Sequence, residues 1–114
     1  MEEADLGEVR SIEHPWGTEE VFADIAGKLV GKILHVREGA QLSLQSQVDG
    51  EEVISLMSGA VLLEIGADPS SLKPIRMVPG QTVHIQAGTA HRISATEDSM
   101  LLEVLSGNHR ARDA

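Results

Sequence analysis

The chain has no cysteine, no tyrosine, one tryptophan (Trp16) and one phenylalanine (Phe22) in 114 residues. Without thiols, disulfides and thiolate metal sites are excluded, and cysteine usage says nothing firm about compartment. With two aromatic rings, an aromatic-lined sugar platform of the lectin type is not expected. Basic residues are scarce: 9 Lys and Arg stand against 18 Asp and Glu, giving a formal net charge of -9. Phosphate backbones would be repelled and no basic stripe runs through the sequence, so nucleic-acid binding is not expected. An anionic substrate would need a local positive patch against that field. No apolar run approaches the roughly 18 residues of a membrane-spanning helix. The first ten residues, MEEADLGEVR, are acidic and unlike a secretory signal, so a cytoplasmic location is expected. Helical periodicity of useful length, internal repeats, low-complexity tracts and linkers are also missing.

What remains is a single domain, residues 1–114, with 41% apolar residues, ordinary for a globular chain with one core. Short alternating runs separated by glycine and proline predict an all-β barrel or sandwich. Strands are expected over 8–13, 19–25, 28–36, 59–66, 73–78 and 99–105, with loose polar tails at 1–7 and 107–114. Ala26-Gly27 separates the second and third strands, and Pro74 places 73–78 at an edge or bulge. In the third strand Lys32, Leu34 and Val36 share one face, and Ile33, His35 and Arg37 the other. Trp16, beside Pro15 and Gly17, is expected in the core or as a plug at the barrel end. His35 is expected half-buried on its strand, and His84 is expected to face away from Val83 and Ile85.

Two stretches carry the useful polar chemistry. Gly39 to Gly59 reads GAQLSLQSQVDGEEVISLMSG, and Gly80 to His91 reads GQTVHIQAGTAH. In the first, Leu42 and Leu44 alternate with Ser43 and Gln45, and Asp49-Gly50 is a tight-turn signal. A hairpin there would bring Gln47, Asp49 and Glu52 together. In the second, Ala87-Gly88 turns the chain and His91 opens a new strand with Ile93 on its own face.

These residues resemble the cupins, and within them the small barrel of type II mannose-6-phosphate isomerases. That family's first motif runs P-G-x-x-L-S-L-Q-x-H-x-H-R-A-E-x-W-x-V-x-x-G. Gly39, Leu42-Ser43-Leu44-Gln45, Glu52 and Gly59 match it in spacing. The second motif, G-x5-P-x-G-x2-H-x3-N, is matched by Gly80, Gly88 and His91, followed by Arg92-Ile93. His14-Pro15-Trp16-Gly17 resembles the P-W-G upstream of it. The resemblance spans about residues 14 to 105 and implies a double-stranded β-helix, a jelly-roll-like barrel of about ten strands.

The resemblance also implies a site. Family metal ligands are two histidines and a glutamate from the first motif and one histidine from the second. Gln47 and Asp49 stand at the two histidine positions, and Glu52 and His91 keep the family residues. Asp49 is shorter than histidine by about 2 Å, a whole metal–ligand bond. The motif's proline and asparagine are Gln86 and Ala95, and Ile54 replaces its tryptophan. Two arrangements stay open. In one, Gln47, Asp49, Glu52 and His91 hold a divalent metal (Mn, Fe, Zn or Ni). In the other they form a metal-free hydrogen-bonded cluster.

The implied function is a small cupin that binds a sugar or sugar phosphate through Ser43, Gln45, Gln47 and Arg92. Glu52 and His91 would be its catalytic pair if it is an isomerase. Phosphate contacts would come from Arg92, Lys32, Arg76 or Arg37, or from Arg110 and Arg112 in the tail. The alternative is a metal-dependent cupin of another reaction class using the same Gln/Asp/Glu/His set. A homodimer is expected from the resemblance and from the need to cover edge strands.

Overall fold

The computed structural model describes residues 7–46 and 49–107. Gln47, the acidic start of the chain and the tail arginines Arg110 and Arg112 lie outside them. Ten strands follow in order: β1 (Arg10–His14), β2 (Gly17–Ile25), β3 (Leu29–Val36), β4 (Gln45–Ser46), β5 (Glu52–Ser58), β6 (Val61–Gly66), β7 (Lys73–Met77), β8 (Thr82–Ile85), β9 (Ala90–Ala95) and β10 (Ser99–Ser106). They form a six-stranded sheet, β1-β2-β3-β10-β5-β8, and a four-stranded sheet, β4-β9-β6-β7. Every pairing is antiparallel. No helix among the described residues is long and apolar enough to cross a membrane.

Period-2 patterning explains which face of each strand turns inward. β10 alternates without a break, burying Ser99, Leu101, Glu103 and Leu105. β3 buries Lys32, Leu34 and Val36 on one face, as its sequence predicts; His35, on the other, is exposed rather than half-buried and pairs with Glu20. The core between the sheets joins Leu34, Ile54, Leu56 and Leu101 on one side to Leu63, Met77 and Ile93 on the other, with Trp16 packed among them. Trp16 is 3% exposed, consistent with a core plug. Pro74 lies on β7, the edge of the four-stranded sheet, where a missing N–H leaves no inner ladder bond unmade.

Residues 39–59 and 80–91 were each expected to form a hairpin, but among the described residues neither stretch pairs its own two arms. β4 pairs with β9, whereas β5 pairs with β10 and β8. Likewise β8 and β9 belong to different sheets. The turn residues do bend the chain, with Gly50 and Gly88 at φ +81° and +84°. Each bend carries the chain from one sheet to the other, because the apolar faces on its two sides bury against each other rather than side by side. The run from Leu42 to Gln45 is also not a continuous strand. Leu42 is buried but Leu44 is 39% exposed. The segment follows β9 through single contacts, Leu42 N–H to Ile93 O and Ala95 N–H to Ala40 O, both 2.9 Å, before β4 forms.

Candidate metal centre

Three buried side chains from three strands meet between the sheets. On β5, Glu52 shares its inward parity with Ile54 and Leu56. On β10, Glu103 shares the inner face with Leu101 and Leu105. Glu52 is opposite Leu105 and Glu103 is opposite Ile54, so the carboxylates are diagonal neighbours on one sheet face. His91 reaches them from β9 of the other sheet. One ligand atom from each of Glu52, His91 and Glu103 lies within 4.8 Å of the others. All three residues are at most 2% exposed.

The donor set fits a divalent cation. His91 Nε2 lies 3.4 Å from Glu52 Oε1, longer than a charge-assisted hydrogen bond. Two ligands each about 2.1 Å from one ion stand no more than about 4.2 Å apart, so this edge matches a shared ion. A cavity of about 10 Å³ lies beside the pair, lined by Gly50, Glu52, Ile85, Gln86, Thr89 and His91. That is room for one water-sized occupant. Charge points the same way. The buried carboxylates are Glu19, Glu52 and Glu103, and the buried cation is Lys32. Buried acidic groups thus outnumber buried basic ones three to one among the described residues.

A second polar group lies farther along the same inner face. Lys32 Nζ is 2.8 Å from Glu19 Oε2. Glu19 Oε1 is 2.7 Å from His14 Nε2, and the His14 ring stacks on Trp16 at 4.6 Å between centroids.

Of the residues singled out in the sequence, Glu52 and His91 lie side by side. Gln45 is the direct partner of His91 across the β4–β9 ladder, so its side chain projects to the same face. Its amide donates to Ser43 Oγ at 3.2 Å. Asp49 is exposed and supplies no atom to the Glu52–His91–Glu103 group. Its turn residue points to solvent because no hairpin folds it back. Arg92 alternates with His91 on β9 and faces the other way, paired with Glu64 at 3.0 Å. Among the other cations considered for a phosphate, Lys32 is held by Glu19, Arg37 donates to Pro15 O at 2.6 Å, and Arg76 is exposed. His84 is outward and pairs with Glu51 at 2.9 Å. Glu103 was not among the expected ligands.

No protein-family model matches the chain, and no curated protein matches its sequence. Solved structures do match. KdgF from Halomonas sp. superposes with a TM-score of 0.74 over 90% of each chain at 18% identity. Oxalate decarboxylase from Bacillus subtilis gives 0.77 at 16% identity, covering 91% of this chain and 29% of its own. A conserved protein of unknown function from Streptococcus pyogenes gives 0.71 at 17% identity, over 94% of this chain and 100% of its own. The chain has the cupin fold. At these identities the likeness carries the fold alone, and this chain spans less than a third of the decarboxylase. The oxalate decarboxylase is described with Mn(II) centres.

Proposed function

We propose that this cupin binds one divalent metal ion through Glu52, His91 and Glu103, and that a small polar ligand reaches the ion from the mouth between Gly50, Gln86 and Thr89. The observation that carries this reading is the meeting of two carboxylates and one imidazole, from both sheets, at one buried point. Bound there, an ion would act as a Lewis acid on an oxygen of the ligand. Two carboxylate donors to one imidazole favour harder ions of the Mn(II) kind over soft ones. The Mn(II) centres of the structurally similar decarboxylase are in keeping with that preference.

The rest of the chain limits what can bind. Leu34, Ile54, Leu56, Leu63 and Leu101 fill the barrel and exclude water from the inner side of the cluster. A ligand therefore enters with one terminal group, a hydroxyl or a carboxylate, and its remainder stays at the mouth. Gln45, on the same face as His91, supplies an amide that can orient that group, and Ser43 fixes the amide. Sugar phosphates and small hydroxy or carboxylic acids meet these requirements.

Elemental analysis of untagged protein tests the reading, compared with Glu52→Ala, His91→Ala and Glu103→Ala. Near-stoichiometric Mn, Fe, Zn or Ni that each substitution removes is the expected result. Protein that takes up none of these ions when each is supplied overturns it. A thermal-shift screen of metal-loaded protein against sugar phosphates and small carboxylates then identifies the ligand class.

A further inference from the structure

An antiparallel sheet with one face on the core is ordinarily apolar inward and polar outward. The six-stranded sheet breaks that pattern. On β10 the one charge, Glu103, points inward, whereas Met100, Leu102 and Val104 point outward and are only half-buried. The ladders set Ile33 of β3 beside Leu102, and Val53 of β5 beside Val104. Met57, 51% exposed, and Phe22, 45% exposed, extend the patch along β5 and onto β2. The tip of the Phe22 ring rests on Gly31, where a Cβ would stand 2.5 Å from it, so the patch runs unbroken across β3. The outer face of the four-stranded sheet is unlike it, with Arg76, Ser94, Glu64 and Arg92 around Leu62.

We infer that a second copy of the chain docks on this face, sheet on sheet, with the two-fold axis near Leu102. Charge favours a copy here. The centre of the patch is uncharged, and the carboxylates at its borders, Glu20 and Glu51, are paired with His35 and His84. A chain of formal net charge -9 meets its like with least repulsion where charge is absent or locally paired. Area favours it too. Six strands about 4.8 Å apart and a β10 of eight residues make a face of about 24 by 27 Å. With side-chain relief this matches the roughly 800 Å² that each partner of a stable complex buries. Stacked sheets fit best when their twists match, and a second copy brings an identical twist. The end segments 1–6 and 108–114 hold Met1 and Leu6 as their only large apolar side chains, too few to cover the patch.

In this dimer β10 is covered on both sides, by the barrel core over Leu101 and Leu105 and by the partner over Met100, Leu102 and Val104. That accounts for the run SMLLEVL, whose near-continuous apolar character belongs to a strand buried on two faces. The interface is isologous, so a residue near the axis meets its own copy and a substitution there counts twice. Pairing through a free sheet edge would instead leave Leu102 at the surface. Nothing in the arrangement needs the metal ion, so the dimer and the metal site stand or fall separately.

The experiment is sedimentation velocity of the full-length protein at micromolar concentrations, beside Leu102→Lys and Leu62→Lys, with circular dichroism to confirm folding. The parent and Leu62→Lys are expected to be dimers. Leu102→Lys lowers the net negative charge, yet it should raise the dimer dissociation constant at least about a hundredfold, because each dimer would bury two unpaired ammonium groups at its centre. A monomeric parent overturns the inference and leaves the face to a partner of another kind. A dimer that survives Leu102→Lys overturns it in favour of edge pairing, and a dimer that Leu62→Lys also breaks overturns it as well. If either variant does not fold, single cysteines decide, in a chain that has none. Ser55→Cys, opposite Leu102 on β5, should couple to its own copy through a short bis-maleimide, and Ser94→Cys, on the outer face of the other sheet, should not. Equal coupling at the two positions, or none at Ser55, overturns the assignment of this face.

Discussion

Glu103 is a lone charge in the strand Ser99–Ser106, and replacing it separates folding from metal binding. Glu103→Gln keeps the shape and removes one of two adjacent buried carboxylates. Mn(II) at a hundredfold over its dissociation constant should stabilise the parent by about 2.7 kcal/mol and leave the variant's melting temperature unmoved. Thermal melts with and without Mn(II) check this. Gly59 makes a different kind of demand. Its φ is +91°, and a Cβ there would stand 2.4 Å from Asp98 O. Gly59→Ala should cost about 1–3 kcal/mol in urea unfolding from backbone strain alone. At this scale the sequence was partly legible. Glu52 and His91 were visible because motif spacing marks them. Glu103 was hidden because SMLLEVL reads as an apolar strand, although its parity with Leu101 and Leu105 already placed it on the inner face. The Glu19–Lys32 pair was hidden in the same way, each partner looking like an ordinary strand charge until the ladder joined them.

The turn between β6 and β7 offers a test at the scale of one element. Asp68 accepts hydrogen bonds from the Ser70 hydroxyl at 2.6 Å and the Ser70 amide at 2.9 Å. These bonds, the hydroxyl's first, hold its carboxyl below the usual 3.8 although it is fully exposed. A lowered folded-state value means the turn's contribution is fully present above the unfolded carboxylate range. It is lost as pH falls through the depressed value. NMR titration of the Asp68 carboxyl should show this, and Ser70→Ala should move the midpoint back up. The same scale shows what strand patterns convey. Alternation fixed the inward faces of β3 and β10, and the proline marked β7 as an edge. Asp49-Gly50 and Ala87-Gly88 announced bends but not partners. A bend is a local property of φ and ψ, whereas pairing is decided by which distant strand covers an exposed ladder and an apolar face.

For the molecule as a whole, the core and the candidate metal centre share a floor. Ile54 is fully buried and lies directly opposite Glu103. Ile54→Ala should cost about 2–5 kcal/mol in denaturant unfolding and also weaken metal binding, because the cavity lets Glu103 relax. Loss of stability with unchanged metal affinity would show the site to be held by the ladders alone. The cupin architecture was legible from two motifs, yet the order β1-β2-β3-β10-β5-β8 was not, since it joins strands from opposite ends of the chain. That order bears on how the protein is made. β10 lies between β3 and β5, and without it the larger sheet falls into two unconnected pieces, β1-β2-β3 and β5-β8. A nascent chain emerging from the ribosome cannot join them until the segment through Ser106 has cleared the exit tunnel. Glu103 arrives on that same segment, so closing the barrel and completing the Glu52–His91–Glu103 cluster are a single event, after the other nine strands have been made.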